Sequence, residues 1–184
     1  MKLVITENIT LDGVVEAVSG WFSPAGDESD MSDIRAELQK MMERQDALLL
    51  GRVTFDEFRG YWPLQTHDTT GITDHLNRVQ KYVVSRTLRD PAWENTGVLS
   101  NAPLDEVRAL KARSGADLGV TGSITLCRAL IEADLVDEYR LFVYPVVLGR
   151  GRRLFADGLD VDGLKLVGAT PFQSGVVLLT YERR

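Results

Sequence analysis

The run Ala47-Leu48-Leu49-Leu50 contains no polar side chain and is stopped at once by Gly51. Successive side chains of a strand point to opposite faces, so four consecutive apolar residues require cover on both. This is the pattern of a strand inside a parallel sheet flanked by helices, and it argues against a meander with one wet face. The rest of the chain supplies the partners such a sheet needs. Residues 3–9, rich in β-branched side chains, read as a first strand, and 81–85, 97–99 and 118–121 as further short ones. Residues 138–147 read as a long strand. Residues 164–168 and 176–182 flank a turn region at 170–175 and are expected to pair antiparallel.

Helical segments alternate with these strands. Ser32 is expected to cap a helix whose apolar positions are Ile34, Leu38, Met41 and Met42. Residues 54–58 read as a short helix. Residues 103–113 read as another, with Pro103 in its first turn, Asp105 and Glu106 at its positive end, and Lys111 and Arg113 at its negative end. Residues 123–133 place Leu126, Cys127, Leu130 and Ile131 on one face. The expected fold is therefore α/β: a three-layer sandwich whose central sheet is mostly parallel, with an antiparallel C-terminal edge. A length of 184 residues suits one domain spanning 1–184. The polar stretch 23–32 reads as a loop inside it rather than a linker.

Charge and composition bound the partners. The net charge of −6 gives no general field for nucleic acid or anionic membrane surfaces. No segment approaches the roughly 18 apolar residues of a membrane span. The N-terminal residues carry no apolar leader, and the single cysteine, Cys127, precludes an internal disulfide, so a cytoplasmic setting is expected.

Two places repeat one arrangement of apolar strand, glycine, and a hydroxyl residue opening a helix: Gly51-Arg52-Val53-Thr54 and Thr121-Gly122-Ser123. A helix start offers free N–H groups and partial positive charge, and glycine lets the backbone approach a phosphate. Arg52 adds a guanidinium suited to a terminal phosphate such as the one that distinguishes NADP from NAD. Ser85-Arg86-Thr87 follows a third strand and is expected to flank the same region. Open α/β sheets place ligands at such strand ends. The chain lacks a P-loop, a strand-borne G-x-G-x-x-G and a G-x-S-x-G nucleophile turn. His67 and His75 have no metal-ligand company, so no metal site is expected. Cys127 reads as a core residue. The basic turn Gly149-Arg150-Gly151-Arg152-Arg153 is read either as a contact for a substrate phosphate or as a flexible connection to Leu154 and Phe155.

Five short motifs in order resemble the dihydrofolate reductase-like superfamily, in its RibD C-terminal branch, the reductase domain of bacterial riboflavin biosynthesis. They are Thr10-Leu11-Asp12-Gly13, Gly51-Arg52-x-Thr54, Val84-Ser85-Arg86-Thr87, Thr121-Gly122-Ser123, and Pro145-Val146-Val147-Leu148-Gly149-x-Gly151 with Leu154-Phe155. The resemblance implies an NADPH-dependent reductase of a small heterocycle, similar to the phosphoribosylaminouracil reductase of riboflavin biosynthesis, working as a homodimer. It implies that Gly51, Arg52 and Thr54 bind the adenosine-side phosphates, Ser85 and Arg86 flank the adenosine, and Thr121, Gly122 and Ser123 meet the pyrophosphate. Leu11 and Gly13 would border the nicotinamide and substrate. Trp21 reads by its own chemistry either as stacking on a planar ring or as a core residue. Asp12 and Asp27 are the candidate catalytic carboxylates, Asp12 reading also as a turn former before Gly13 and Asp30 and Asp33 being rivals of Asp27. One departure is Thr121-Gly122, where dihydrofolate reductases carry Gly-Gly. The competing expectations are a nucleotide-binding module without turnover and an interaction protein built on its dimer interface.

Overall fold

The computed structural model describes residues 1–18, 20–22 and 31–184. Its elements, in chain order, are β1 (Lys2–Thr10), α1 (Ser32–Glu43), β2 (Gln45–Gly51), α2 (Arg52–Tyr61), α3 (Ile72–Arg78), β3 (Gln80–Val84), β4 (Thr96–Leu99), α4 (Pro103–Lys111), β5 (Asp117–Val120), α5 (Ile124–Glu132), β6 (Glu138–Tyr144), β7 (Leu164–Pro171) and β8 (Val177–Arg183). A 3-10 turn, Trp62–Leu64, follows α2. The eight described strands form one sheet in the order β4-β3-β2-β5-β1-β6-β8-β7. The six strands from β4 to β6 run parallel; β8 is antiparallel to β6 and β7 to β8.

The apolar run of β2 does what its composition requires. Ala47 and Leu49 enter one cluster with Val107 and Leu110 of α4 and Leu126, Leu130 and Ile131 of α5. Leu48 and Leu50 enter a cluster on the other face with Phe55 of α2 and Leu76 of α3. Alternate residues of one strand thus anchor two helical layers, each fully buried leucine contributing about 1.5–3 kcal/mol. A third cluster seats Ile34 of α1 against Phe142, Phe172 and Leu178. Cys127 is a buried core residue, as expected. Across β5 and β6, Arg140 is buried but fully engaged, donating to Asp117 at 2.8 Å and Glu138 at 2.5 Å, while Lys2 also pairs with Glu138 at 2.7 Å. A charge that deep is tolerable only because its partners are charged and hydrogen-bonded.

Several boundaries differ from expectation. Ser32 is the first residue of α1 rather than its cap; Met31 holds the cap position. Helix α2 begins at Arg52, directly after Gly51, and runs to Tyr61, well beyond 54–58. Helix α3 was not expected. Its short length hides the apolar period, and its stability comes from tertiary groups: Asp68 accepts from the Thr70 and Thr73 N–H groups at its start, and the buried Lys81 ammonium donates to the Leu76 and Val79 carbonyls at its end. Strand β6 stops at Tyr144, before Pro145, which has no N–H to continue a ladder. The basic turn then folds back on the exit of β1, where Val14 bridges to Arg153 and Leu154 donates to the Gly13 carbonyl. Among the described residues, no helix is long and apolar enough to cross a membrane.

Candidate functional site

Strands β3, β2 and β5 are neighbours and parallel, so the junctions that follow them emerge on one rim of the sheet. The two glycine junctions are knitted together. Gly51 N–H donates to Ser123 Oγ at 2.8 Å, and Ser123 N–H donates to Thr54 Oγ1 at 2.9 Å. Gly122 and Ser123 are both left-handed, with φ of 57° and 52°. A Cβ on Gly122 would stand 3.0 Å from Thr54 Cγ2, so only glycine lets the chain pass this closely beneath the start of α2. Neither α2 nor α5 has a side-chain hydrogen bond at its cap, leaving backbone donors at both helix starts.

These residues line a cleft of about 620 Å³: Gly51, Arg52, Thr54, Thr121, Gly122 and Ser123 on one side, and Val15, Glu16 and Trp21 on the other. The Arg52 guanidinium donates to Asp56 at 2.5 Å and reaches Thr87 Oγ1 at 3.4 Å, at the rim. Ser85 and Arg86 do not line the cleft. The Ser85 hydroxyl accepts from the Thr87 and Leu88 N–H groups and shapes the turn, so Thr87 is the member of that motif that meets Arg52. Trp21 does line the cleft; its indole N–H donates to the Glu16 carbonyl at 2.9 Å and its ring packs edge-on to Tyr144. At the cleft's base lies Glu7, whose buried carboxyl is pushed well above the usual range by burial, only partly offset by the Cys127 thiol and the Gly122 N–H. Burial therefore favours the protonated form, which would spare the cradle a buried negative charge.

A second cavity of about 600 Å³ adjoins the first. Its floor is the sheet face bearing Thr6, Asn8, Gly119 and Phe142, and its walls come from α1, α2 and α3. Asn8, Phe22, Glu57, Phe58 and Thr121 border both cavities and mark where they meet. Sequence reasoning passed over Asn8, Glu57 and Phe58. The signal was present in the alternation Val4, Thr6, Asn8 and in the helical spacing of Thr54, Glu57, Phe58 and Tyr61.

The turn after β1 is placed differently from expectation. Leu11, Asp12 and Gly13 lie outside the lining of both cavities, and Leu11 is exposed. Asp12 accepts from the Thr10 hydroxyl at 2.6 Å, Gly149 N–H at 2.7 Å and Leu148 N–H at 3.2 Å. The Thr10 hydroxyl and the Gly149 N–H hold its carboxyl down at about 2. Its position is that of a latch between β1 and the basic turn. Within that turn Arg152 pairs with Glu16 at 2.7 Å and its side chain also lines the cleft, while Arg153 donates to the Asp12 carbonyl. Asp27 and Asp30 lie outside the described residues. Asp33 accepts from the Gln173 N–H at 2.9 Å. The described residues include no cluster of metal ligands; His75 is hydrogen-bonded to Gln45 at 2.6 Å and held neutral, near 4, by burial and by Arg78 and Lys81.

Residues 1–178 match the family model of the RibD C-terminal domain. The uncharacterised protein YyaP of Bacillus subtilis is 32% identical over 183 residues, covering 98% of this chain and 94% of its relative. Among solved structures, a putative riboflavin biosynthesis protein from Shewanella superposes with a TM-score of 0.74 at 20% identity, covering 100% of this chain and 99% of that one. A dihydrofolate reductase from Enterococcus faecalis, complexed with NADP(H) and RAB-propyl, superposes at 0.65 with 17% identity, covering 100% and 96%. The fold is shared with that dihydrofolate reductase and with RibD of Acinetobacter baumannii.

Proposed function

The chain belongs to the RibD C-terminal domain family, and from that premise we propose that it is an NADPH-dependent reductase of a small heterocycle. The observation that carries the proposal is the meeting of a glycine-lined phosphate cradle with a second, separate cavity at Asn8 and Thr121. The residues present fit the cofactor. Gly51, Thr54, Gly122 and Ser123 would hold its pyrophosphate, because they stand at the starts of α2 and α5, where no side chain caps the backbone N–H groups. Arg52, at the rim, would take the adenosine phosphate. When bound, NADPH supplies a hydride from its nicotinamide ring.

The rest is the work of this chain's residues. Trp21 and Phe22 wall the cleft and keep water from the junction. Asn8 and Thr121 offer neutral hydrogen bonds that orient an acceptor. Glu57 is the carboxylate bordering both cavities among the described residues, and is the group placed to hold or pass a proton. Glu57 thus joins Asp12 and Asp27 as a candidate for the proton-handling role. A homodimer remains the expected assembly, on the family resemblance.

A fluorescence titration with NADPH, followed by an oxidation assay across pteridine and pyrimidine acceptors, tests the proposal. Saturable binding at micromolar cofactor and acceptor-dependent loss of NADPH absorbance are expected. Absence of binding at tens of micromolar would refute it, a limit set by ordinary cofactor affinities of about −6 to −8 kcal/mol.

A further inference from the structure

We infer that the acceptor cavity takes a flat, uncharged aromatic heterocycle that carries no phosphate. The inference rests on the reading that this cavity adjoins the NADPH cleft, and goes beyond it by naming the acceptor's class. The walls are ring-shaped and pliable: Phe58, Tyr61 and Trp62 from one side, Phe142 and Tyr144 from the sheet, Met42 from α1. Aromatic faces stack on planar rings, and methionine adapts to their outline.

The cavity's charges point the same way. A phosphate monoester is a dianion and needs several free cations or open N–H groups. Arg140 reaches the cavity but is spent on Asp117 and Glu138. His75, held near 4, is neutral at physiological pH. The start of α3, beside Thr70 and Ile72, is already filled by the Asp68 carboxylate. Arg35 remains, and it stands at the exposed mouth with no ion pair among the described residues. The floor groups Thr6, Asn8 and Thr121 do not ionise and have no side-chain hydrogen-bond partner among the described residues. They are free to read the neutral N–H and C=O edge of a heterocycle.

The experiment uses the full chain with saturating NADP⁺ and a matched pair of probes, 2-naphthol and 2-naphthyl phosphate, with 6-methylpterin as a heterocyclic probe, followed by tryptophan fluorescence. Binding of 2-naphthol and 6-methylpterin at least about tenfold tighter than the phosphate ester is expected, since a dianion would lose water without gaining partners. Tyr61→Arg, at an exposed wall position, should narrow that preference by raising affinity for the ester. Equal or tighter binding of 2-naphthyl phosphate to the unmodified chain, or failure of all three probes at millimolar concentration, overturns the inference. The NADP⁺ titration that precedes the probes reports separately on the cofactor reading.

Discussion

Replacing Arg52 with alanine separates a cofactor contact from a structural one. In the present conformation the guanidinium is engaged with Asp56, one helical turn on, and both side chains are well exposed, at 40% and 36%. An exposed pair of this spacing is worth about 0.3–0.5 kcal/mol, so the substitution should lower the melting temperature by about 2 °C or less. A charge-assisted bond to the adenosine phosphate is worth about 1.5–3 kcal/mol. Subtracting the Asp56 pair that must be released leaves about 1–2.5 kcal/mol, or about a 5- to 70-fold weaker Kd for NADPH. NADH, which lacks that phosphate, should lose less than about twofold. Paired fluorescence titrations with the two cofactors, with thermal melts of both proteins, make the measurement. Equal weakening toward NADPH and NADH would refute the phosphate role, and a large drop in melting temperature would show that Arg52 is structural instead.

Four further outcomes follow from the geometry. Gly122→Ala forces a left-handed alanine whose Cβ meets Thr54 Cγ2 at 3.0 Å, and should cost about 1–3 kcal/mol in urea unfolding while weakening NADPH binding. Glu57→Gln should lower turnover by about 10²-fold with NADPH affinity unchanged if it handles the proton, read from kcat and a binding titration together. The carboxyl of Asp12 is held near 2, below its unfolded value of about 3.9, so its latch stabilises above pH 4 and is lost as pH falls toward 2; the stability difference between wild type and Asp12→Asn should shrink over that window in acid unfolding. Glu7 has the opposite sign. Its folded value is raised well above about 4.3, so wild-type stability should decline as pH rises from there, whereas Glu7→Gln should show no such decline in melts taken from pH 4 to 9.

Much of this protein was legible from its residues one segment at a time. The unbroken apolar run at Ala47–Leu50 required two helical layers, and the closing strands required an antiparallel edge, because periodicity and burial are local constraints. The Gly51 and Gly122 junctions were legible for the same reason: glycine followed by a helix start is a backbone property written in sequence. What the tertiary structure alone decided is who meets whom. Asp12 reads in sequence as a turn former or a catalytic carboxylate, and the fold ties it to Gly149, 137 residues away. Of Ser85-Arg86-Thr87, it is Thr87 that the fold brings to Arg52. Helix α3 exists because Asp68 and Lys81 satisfy its two ends, and Asn8, Glu57 and Thr121 converge from three separate elements. Such meetings depend on strand order and helix placement across the whole sheet, and no window along the chain contains them.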